Sequence, residues 1–341
     1  MRKVRLMRSK LFLLLFFTTS SLVATAQQDI QFSQYIFNGL SVNPAYAGYK
    51  EDMFLNTTYR KQWVSFPGAP ETGTASIDGV ANLSGSKTVG LGAQVLWDKL
   101  GPQQSLSFYG SYAYRIRLNA ADDSRLSLGL GIGINQYSID GNKFAPIDQN
   151  DPNIPTGKVS TLKPNANFGV FYYNPTFYAG ISVLDLFPNN MYDNIFIGSN
   201  NYGNLSIKKT RHYYFTAGTM LNLSTDIKLK PSIMLKDDFK GPTNIDFNAF
   251  FLFGERLWLG GSYRTGVKLW TKSNLQSNLE NADAMSVMIE LMATDRLRLG
   301  YAYDFTTSKL ANYQSGTHEI SIGYLLFNKR RGERISSPRY F

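Results

Sequence analysis

Ser105–Leu118 reads SLSFYGSYAYRIRL, and its alternation decides the fold. Leu106, Phe108, Gly110, Tyr112, Tyr114, Ile116 and Leu118 share one phase. Ser107, Tyr109, Ser111, Ala113, Arg115 and Arg117 share the other. A period of two over so long a run is a strand with unlike faces. The next stretch, RLSLGLGIGINQY, sets Leu126, Leu128, Leu130, Ile132 and Ile134 against Ser127, Gly129, Gly131, Gly133 and Asn135. KTVGLGAQVLW before it sets Val89, Leu91, Ala93, Val95 and Trp97 against Gly90, Gly92, Gln94 and Leu96. The pattern returns at Ile245–Phe253, Leu297–Phe305 and Ile320–Leu326.

A soluble sandwich alternates too, but its polar face meets bulk water and carries Lys and Glu. Here the second face is Gly, Ser, Asn and Arg. Aromatic residues near strand ends (Trp97, Phe187, Tyr213, Trp258, Trp270 and Phe327) suit the interfacial girdles of an outer-membrane barrel. The connections alternate as well. Short turns fall at 174–176, 223–226, 254–256 and 294–296; long polar ones fall at 61–71, 140–158, 188–209 and 268–283. The fold class is therefore all-β, a transmembrane barrel of about fourteen antiparallel strands with short turns at one end and long loops at the other. The even count puts both termini on the periplasmic side, at the short-turn end, where the signal peptide delivers the N-terminus. The glycine-rich phase leaves room inside for a plug or for a close neighbouring strand.

The 341 residues divide into four parts. Residues 1–26 are a secretory signal peptide: a basic start, the apolar run LFLLLFF, and Ala24-Thr25-Ala26 as the cleavage site, leaving Gln27 first. Their apolar core is too short for a membrane-spanning helix. Residues 27–50 form a plug-like, periplasmic segment, rich in aromatics and amides, whose Phe32, Tyr35, Ile36, Phe37 and Leu40 follow neither period. Asn43-Pro44 and Ala47-Gly48 interrupt its backbone. Residues 51–328 are the barrel. Residues 329–341 are a basic periplasmic tail, KRRGERISSPRYF, whose Arg330, Arg331, Arg334, Pro338, Arg339, Tyr340 and Phe341 are candidates for docking a partner.

The formal charge of +10 does not argue for nucleic acid. Five positive charges precede the apolar run and a net four lie in the tail, so the body between is close to neutral. With no Cys, thiolate chemistry and disulfides are excluded. The two histidines are far apart: His318 falls in the lipid-facing phase and His212 in the inward one. No metal-ligand spacing, phosphate loop or cofactor motif accompanies them. Arg60, Arg115, Arg117 and Arg264 read as lumen residues that pair with acids such as Asp98 or Asp304, or hold the plug through its carbonyls.

The chain resembles the PorP/SprF family of the type IX secretion system, outer-membrane proteins of Bacteroidetes. The resemblance rests on Asp29, FSQY at Phe32–Tyr35, NPAYAG at Asn43–Gly48, YRKQW at Tyr59–Trp63, GAPET at Gly68–Thr72 and SPRYF at Ser337–Phe341. It implies a non-enzymatic outer-membrane barrel that supports protein secretion and, in several members, gliding motility. The SprF-like branch, favoured here, accompanies large surface adhesins; PorP-like members associate with a periplasmic lipoprotein ring. Expected partners are therefore a secreted adhesin-type protein, periplasmic or lipoprotein machinery and outer-membrane lipid, with no nucleic acid and no cofactor. Phe32, Gln34, Tyr35, Asn43, Pro44 and Tyr46, with Arg60 and Trp63 at the first strand, are the candidates for plugging and sealing the barrel. A competing class is a fatty-acid-channel-like transporter of small apolar solutes.

Overall fold

The computed structural model describes residues 30–81, 87–144, 157–187, 209–272 and 282–326. The expected signal peptide, the start at Gln27, the girdle position Phe327 and the tail from Lys329 to Phe341 lie outside these residues.

Fifteen strand segments follow in order: β1 (Phe54–Lys61), β2 (Glu71–Ala81), β3 (Val89–Leu100), β4 (Gln103–Arg117), β5 (Arg125–Asp140), β6 (Lys158–Tyr173), β7 (Phe177–Leu184) and β8 (His212–Thr219). Then come β9 (Leu221–Asn222), β10 (Ile227–Asp237), β11 (Thr243–Phe253), β12 (Leu257–Val267), β13 (Ala282–Met292), β14 (Leu297–Thr306) and β15 (Thr317–Leu325). Each pairs antiparallel with its neighbours. β8 and β9 both pair with β10 on either side of Met220, so they form one interrupted stave. β1 pairs with β15, from Phe54↔Leu325 to Lys61↔His318, and this ladder closes the sheet. The result is a closed antiparallel barrel of fourteen staves.

The two phases separate as their chemistry requires. Phe108 is 51% exposed and Ile132 64%, whereas Ala113 and Arg115 on the other face are 0% and 1% exposed. Leu, Ile, Phe and Tyr thus coat the outside, and the lumen takes the Ser, Asn, Gly and charged positions. Near the long loops Phe239 meets Tyr213 edge-on, with ring centroids 4.8 Å apart, and stacks on Trp270 at 5.6 Å, as a girdle requires. Trp258 departs from the girdle reading. It lies in the inward phase of β12, buried between the lipid-facing positions Leu257 and Leu259. Its nearness to a strand end is real; its phase sends it into the lumen.

The turns at 174–176, 223–226 and 254–256 link β6–β7, β9–β10 and β11–β12 at the end where β1 starts and β15 stops. At the opposite end β1, β5, β7 and β12 stop and β2, β6, β8 and β13 start. The alternation of lengths is not strict. β3 and β4 join at that long-loop end through Gly101-Pro102 alone, with Gly101 at φ 55°. A glycine free to adopt positive φ permits so tight a reversal, and the Gly101 N–H bonds the Gly68 carbonyl of the long β1–β2 connection.

Candidate functional site

Residues 30–50 lie inside the barrel. Their uncommitted periodicity becomes three short 3-10 turns, Ser33–Phe37, Gly39–Ser41 and Pro44–Tyr46. Pro44 opens the last of these, and the Asn43 side chain caps it by accepting from the Ala45 N–H at 2.9 Å. A segment without its own ladder must find partners for its polar groups elsewhere. The barrel wall supplies them.

At the long-loop end, Arg60 of β1 donates to Asp304 of β14 at 2.6 Å and to Glu319 of β15 at 2.8 Å. Ser33 sits among the three. Its hydroxyl donates to Asp304 and accepts from Arg60 at 2.7 Å. The N–H groups of Ser33 and Gln34 each donate to one Glu319 oxygen at 2.8 Å, so one carboxylate clasps two successive amides. The Gln34 side chain bonds the Glu319 carbonyl and Ser321. Asn248 of β11 donates to the Tyr35 hydroxyl at 2.8 Å. Beside it Arg264 grips Asp246 with two parallel bonds at 3.0 and 3.1 Å.

The segment then descends. Phe37 packs edge-on to Phe250 at 5.5 Å and lies 6.0 Å from Trp258, near the short turns, and its carbonyl accepts from Arg298 at 2.9 Å. Lys230, fully buried, lies 5.7 Å over both the Phe37 and Trp258 rings. On the opposite wall, Asn43 donates to the Val170 and Ile181 carbonyls, and Ser182 donates to the Val42 carbonyl. Tyr46 packs on Phe171 at 5.5 Å, and the Gly48 N–H bonds Asp78 at 2.9 Å. The lumen glycines mark where this backbone touches the wall. A methyl on Gly90, Gly129 or Gly169 would overlap Ala47, Ala45 or Asn43, respectively. Gly133 instead accommodates the neighbouring strand at Phe108–Tyr109.

Of the sealing candidates, Phe32, Gln34, Tyr35, Asn43, Pro44 and Tyr46 are all buried in this contact, and Arg60 joins them from the wall. Trp63 stands apart. It lies in the β1–β2 connection at the rim, where its N–H bonds Thr317. Asp304 is the acid that meets Arg60, whereas Asp98 accepts from Thr72. Arg117 is exposed, and Arg115 bonds Tyr173 and the Lys87 carbonyl and lies 3.9 Å from the Glu51 carboxylate, an acid partner at the foot of the segment. Arg298, which holds the Phe37 carbonyl, was signalled only by its inward phase. The same is true of Glu319, a lone acid between Ile320 and the loop.

One directional expectation changes. The parity of the strands fixes where β1 begins, but not where the segment ahead of it begins. Ile30 and Gln31 line the cavity at the long-loop end, so the described chain starts there and runs down to the short-turn end before entering β1. That cavity, of about 330 Å³, also reaches Arg60, Trp63, Asp98 and Arg264. A second, of about 300 Å³, lies below the segment between Phe37, Lys50, Phe54, Trp258, Glu290 and Arg298.

Burial pushes the Tyr35 and Tyr46 hydroxyls well above the usual tyrosine range; Asp246 adds to this at Tyr35 and Tyr49 at Tyr46. Burial and the nearby Arg298 hold the Lys50 ammonium well below the ordinary lysine range. Among the described residues no group of three or more His, Asp or Glu side chains is placed to hold a metal ion. His212 faces inward and bonds the Thr210 carbonyl; His318, in the outward phase, bonds the Tyr301 hydroxyl at 2.7 Å.

The barrel of the Ralstonia pickettii toluene transporter TbuX is similar at 9% identity and a TM-score of 0.47, over 86% of this chain and 93% of that one. A Pseudomonas aeruginosa FadL homologue gives 9% identity and a TM-score of 0.46, over 86% and 94% of the two chains. BamA from Haemophilus ducreyi, lacking POTRA domains 1–3, gives 9% and 0.41, over 80% and 70%. No curated protein matches the chain. A family model described as type IX secretion system membrane protein PorP/SprF matches residues 24–324. The chain belongs to the PorP/SprF family of type IX secretion system membrane proteins.

Proposed function

We propose that this chain is a non-enzymatic, plugged barrel that supports export and surface anchoring of a large adhesin-type protein, with gliding motility as the process served. The observation that carries the reading is the seating of residues 30–50. Their hydrogen bonds reach β1, β2, β6, β7, β11, β14 and β15, which supports a segment held across the lumen. A protein so sealed offers surfaces rather than a path. The long loops face outward and capture the exported protein. The basic tail Lys329–Phe341 faces the periplasmic or lipoprotein machinery, after a cleaved signal peptide over residues 1–26 has delivered the chain.

Two measurements test this together. The purified barrel in planar bilayers should show no steady conductance, while a pull-down from native outer membranes should recover a large surface protein. Deleting Lys329–Phe341 should leave a heat-modifiable barrel but reduce surface display of that protein. Undiminished display sinks the role given to the tail. The transporter reading draws on the two cavities above and below the segment, of about 330 and 300 Å³, which would join if it moved. Solute-dependent conductance of the unaltered protein, without a co-purifying surface protein, favours that alternative.

A further inference from the structure

The lower cavity, of about 300 Å³, has apolar walls and a charged mouth. Phe37, Phe54, Leu252 and Trp258 form the walls. Glu255, Asp295 and Arg296 of the short turns line the mouth, so the cavity opens at the periplasmic end. Lys50 and Arg298 stand 3.8 and 4.7 Å over the Phe54 ring, a setting in which cations and rings stabilise one another. Glu290 lines the same space and is 1% exposed. One of its carboxylate oxygens lies 3.3 Å from Arg298, and the other has no hydrogen-bond partner. A buried acceptor left without a donor is costly, so a donor entering the cavity gains a bond there.

The sequence holds a segment of matching chemistry close by. β15 stops at Leu325, which itself lines the cavity, and the Leu326 N–H bonds the Met53 carbonyl ahead of β1. Fifteen residues, 327–341, follow. At about 3.3 Å per extended residue, they are long enough to leave the wall and return to the mouth. Their Arg330, Arg331 and Arg334 complement Glu255 and Asp295, whose side chains are 67% and 84% exposed there. Tyr340 and Phe341 then offer two rings and one hydroxyl donor. An apolar cavity of about 150 Å³ takes one benzene ring, so this one has room for two.

We propose that Tyr340 and Phe341 turn back into this cavity and stopper the barrel from below. Their rings pack against Phe37, Phe54 and Trp258, and the Tyr340 hydroxyl donates to the unpartnered oxygen of Glu290. Lys329–Arg334 stay at the mouth, within reach of periplasmic machinery. The inference does not depend on that machinery or on the exported protein, because its contacts lie within one chain.

The test uses the full-length barrel in detergent carrying Phe341→p-benzoylphenylalanine, whose ketone inserts into neighbouring C–H bonds on illumination. Crosslinks are mapped by peptide mass spectrometry. Intramolecular adducts should form on the cavity lining, at Leu252 and Met292 foremost. Met292→Trp, which fills the cavity, and Tyr340→Ser, which removes one ring and the donor to Glu290, should each lower their yield roughly tenfold. Heat-modifiability on gels identifies the folded variants. Tyr340→Ser leaves the barrel sequence untouched, so it supplies the comparison should Met292→Trp misassemble. Three results overturn the proposal: no adduct on the cavity lining, an undiminished yield in the folded Tyr340→Ser variant, or adducts that join two copies and vanish on dilution. The last would mean that the cavity takes a second chain.

Discussion

Glu319→Ala tests the seating of the segment most directly. The Glu319 carboxylate accepts from the Ser33 N–H, the Gln34 N–H and Arg60, each at 2.8 Å, and the residue is 1% exposed. A hydrogen bond to a charged group contributes about 1.5–3 kcal/mol. The two amide bonds fasten segment to wall, whereas the Arg60 contact lies within the wall. Arg60 also keeps Asp304 at 2.6 Å, so the cation is not stranded. Losing both amide bonds should weaken seating by about 3–4 kcal/mol, allowing for incomplete additivity. At about 1.4 kcal/mol per tenfold, the released fraction rises roughly 10²- to 10³-fold. Bilayer recordings should show this as frequent opening events that the unaltered barrel rarely makes. Glu319→Gln keeps one acceptor oxygen and should fall between the two. If the Ala variant is heat-modifiable yet as quiet as its parent, the carboxylate clasp does not hold the segment.

Three further outcomes follow from the same contacts. Gly129→Leu places a side chain where Ala45 lies, so the barrel should assemble but the Asn43–Tyr46 turn should become accessible to protease; unchanged protection contradicts the fit. Phe37→Ala removes the ring against Phe250 and Trp258 and should cost the seated state about 3–5 kcal/mol. Trp258 is the buried tryptophan among the described residues, so its emission should shift to the red, and an unshifted spectrum refutes the packing. Alkaline release should also occur. Tyr35 and Tyr46 have raised values when seated, so their contribution is complete below the free tyrosine value near 10 and declines as pH rises above it. Conductance that stays flat while exposed tyrosines ionise argues against this.

Much of the architecture was legible because a strand's period of two leaves a local trace in every segment. Ser105–Leu118 announces its lipid face, and that face is the exposed one. The turns at 174–176 and 254–256 carry Asn-Pro and Gly in plain sight. Arg60 and Asp304 were readable as partners, since Arg60 is the lone charge in the inward phase of β1 and Asp304 the lone acid in that of β14. Trp258 lies near a strand end, but phase rather than position decides which side it faces, and its phase is inward. The clasp of Ser33 and Gln34 by Glu319 could not be read, because its halves lie 286 and 285 residues apart and neither leaves a local pattern. The descent of the segment was hidden for a similar reason: counting strands constrains only the point where strands begin.

That clasp also bears on the order of folding. Among the described residues β1 and β15 are the first and last strands, Arg60 faces Glu319 across the ladder that joins them, and Ser33 bridges the same pair from within. Contacts this distant in sequence form late, because the intervening chain must first be organised. Until β15 is added, the opening segment lacks Glu319 for its amides, and Asp304 and Arg60 lack their shared neighbour. A chain stopped short of β15 should therefore be left both unclosed and unsealed. Sealing reports that the barrel has closed: the same strand that completes the wall anchors the segment inside it.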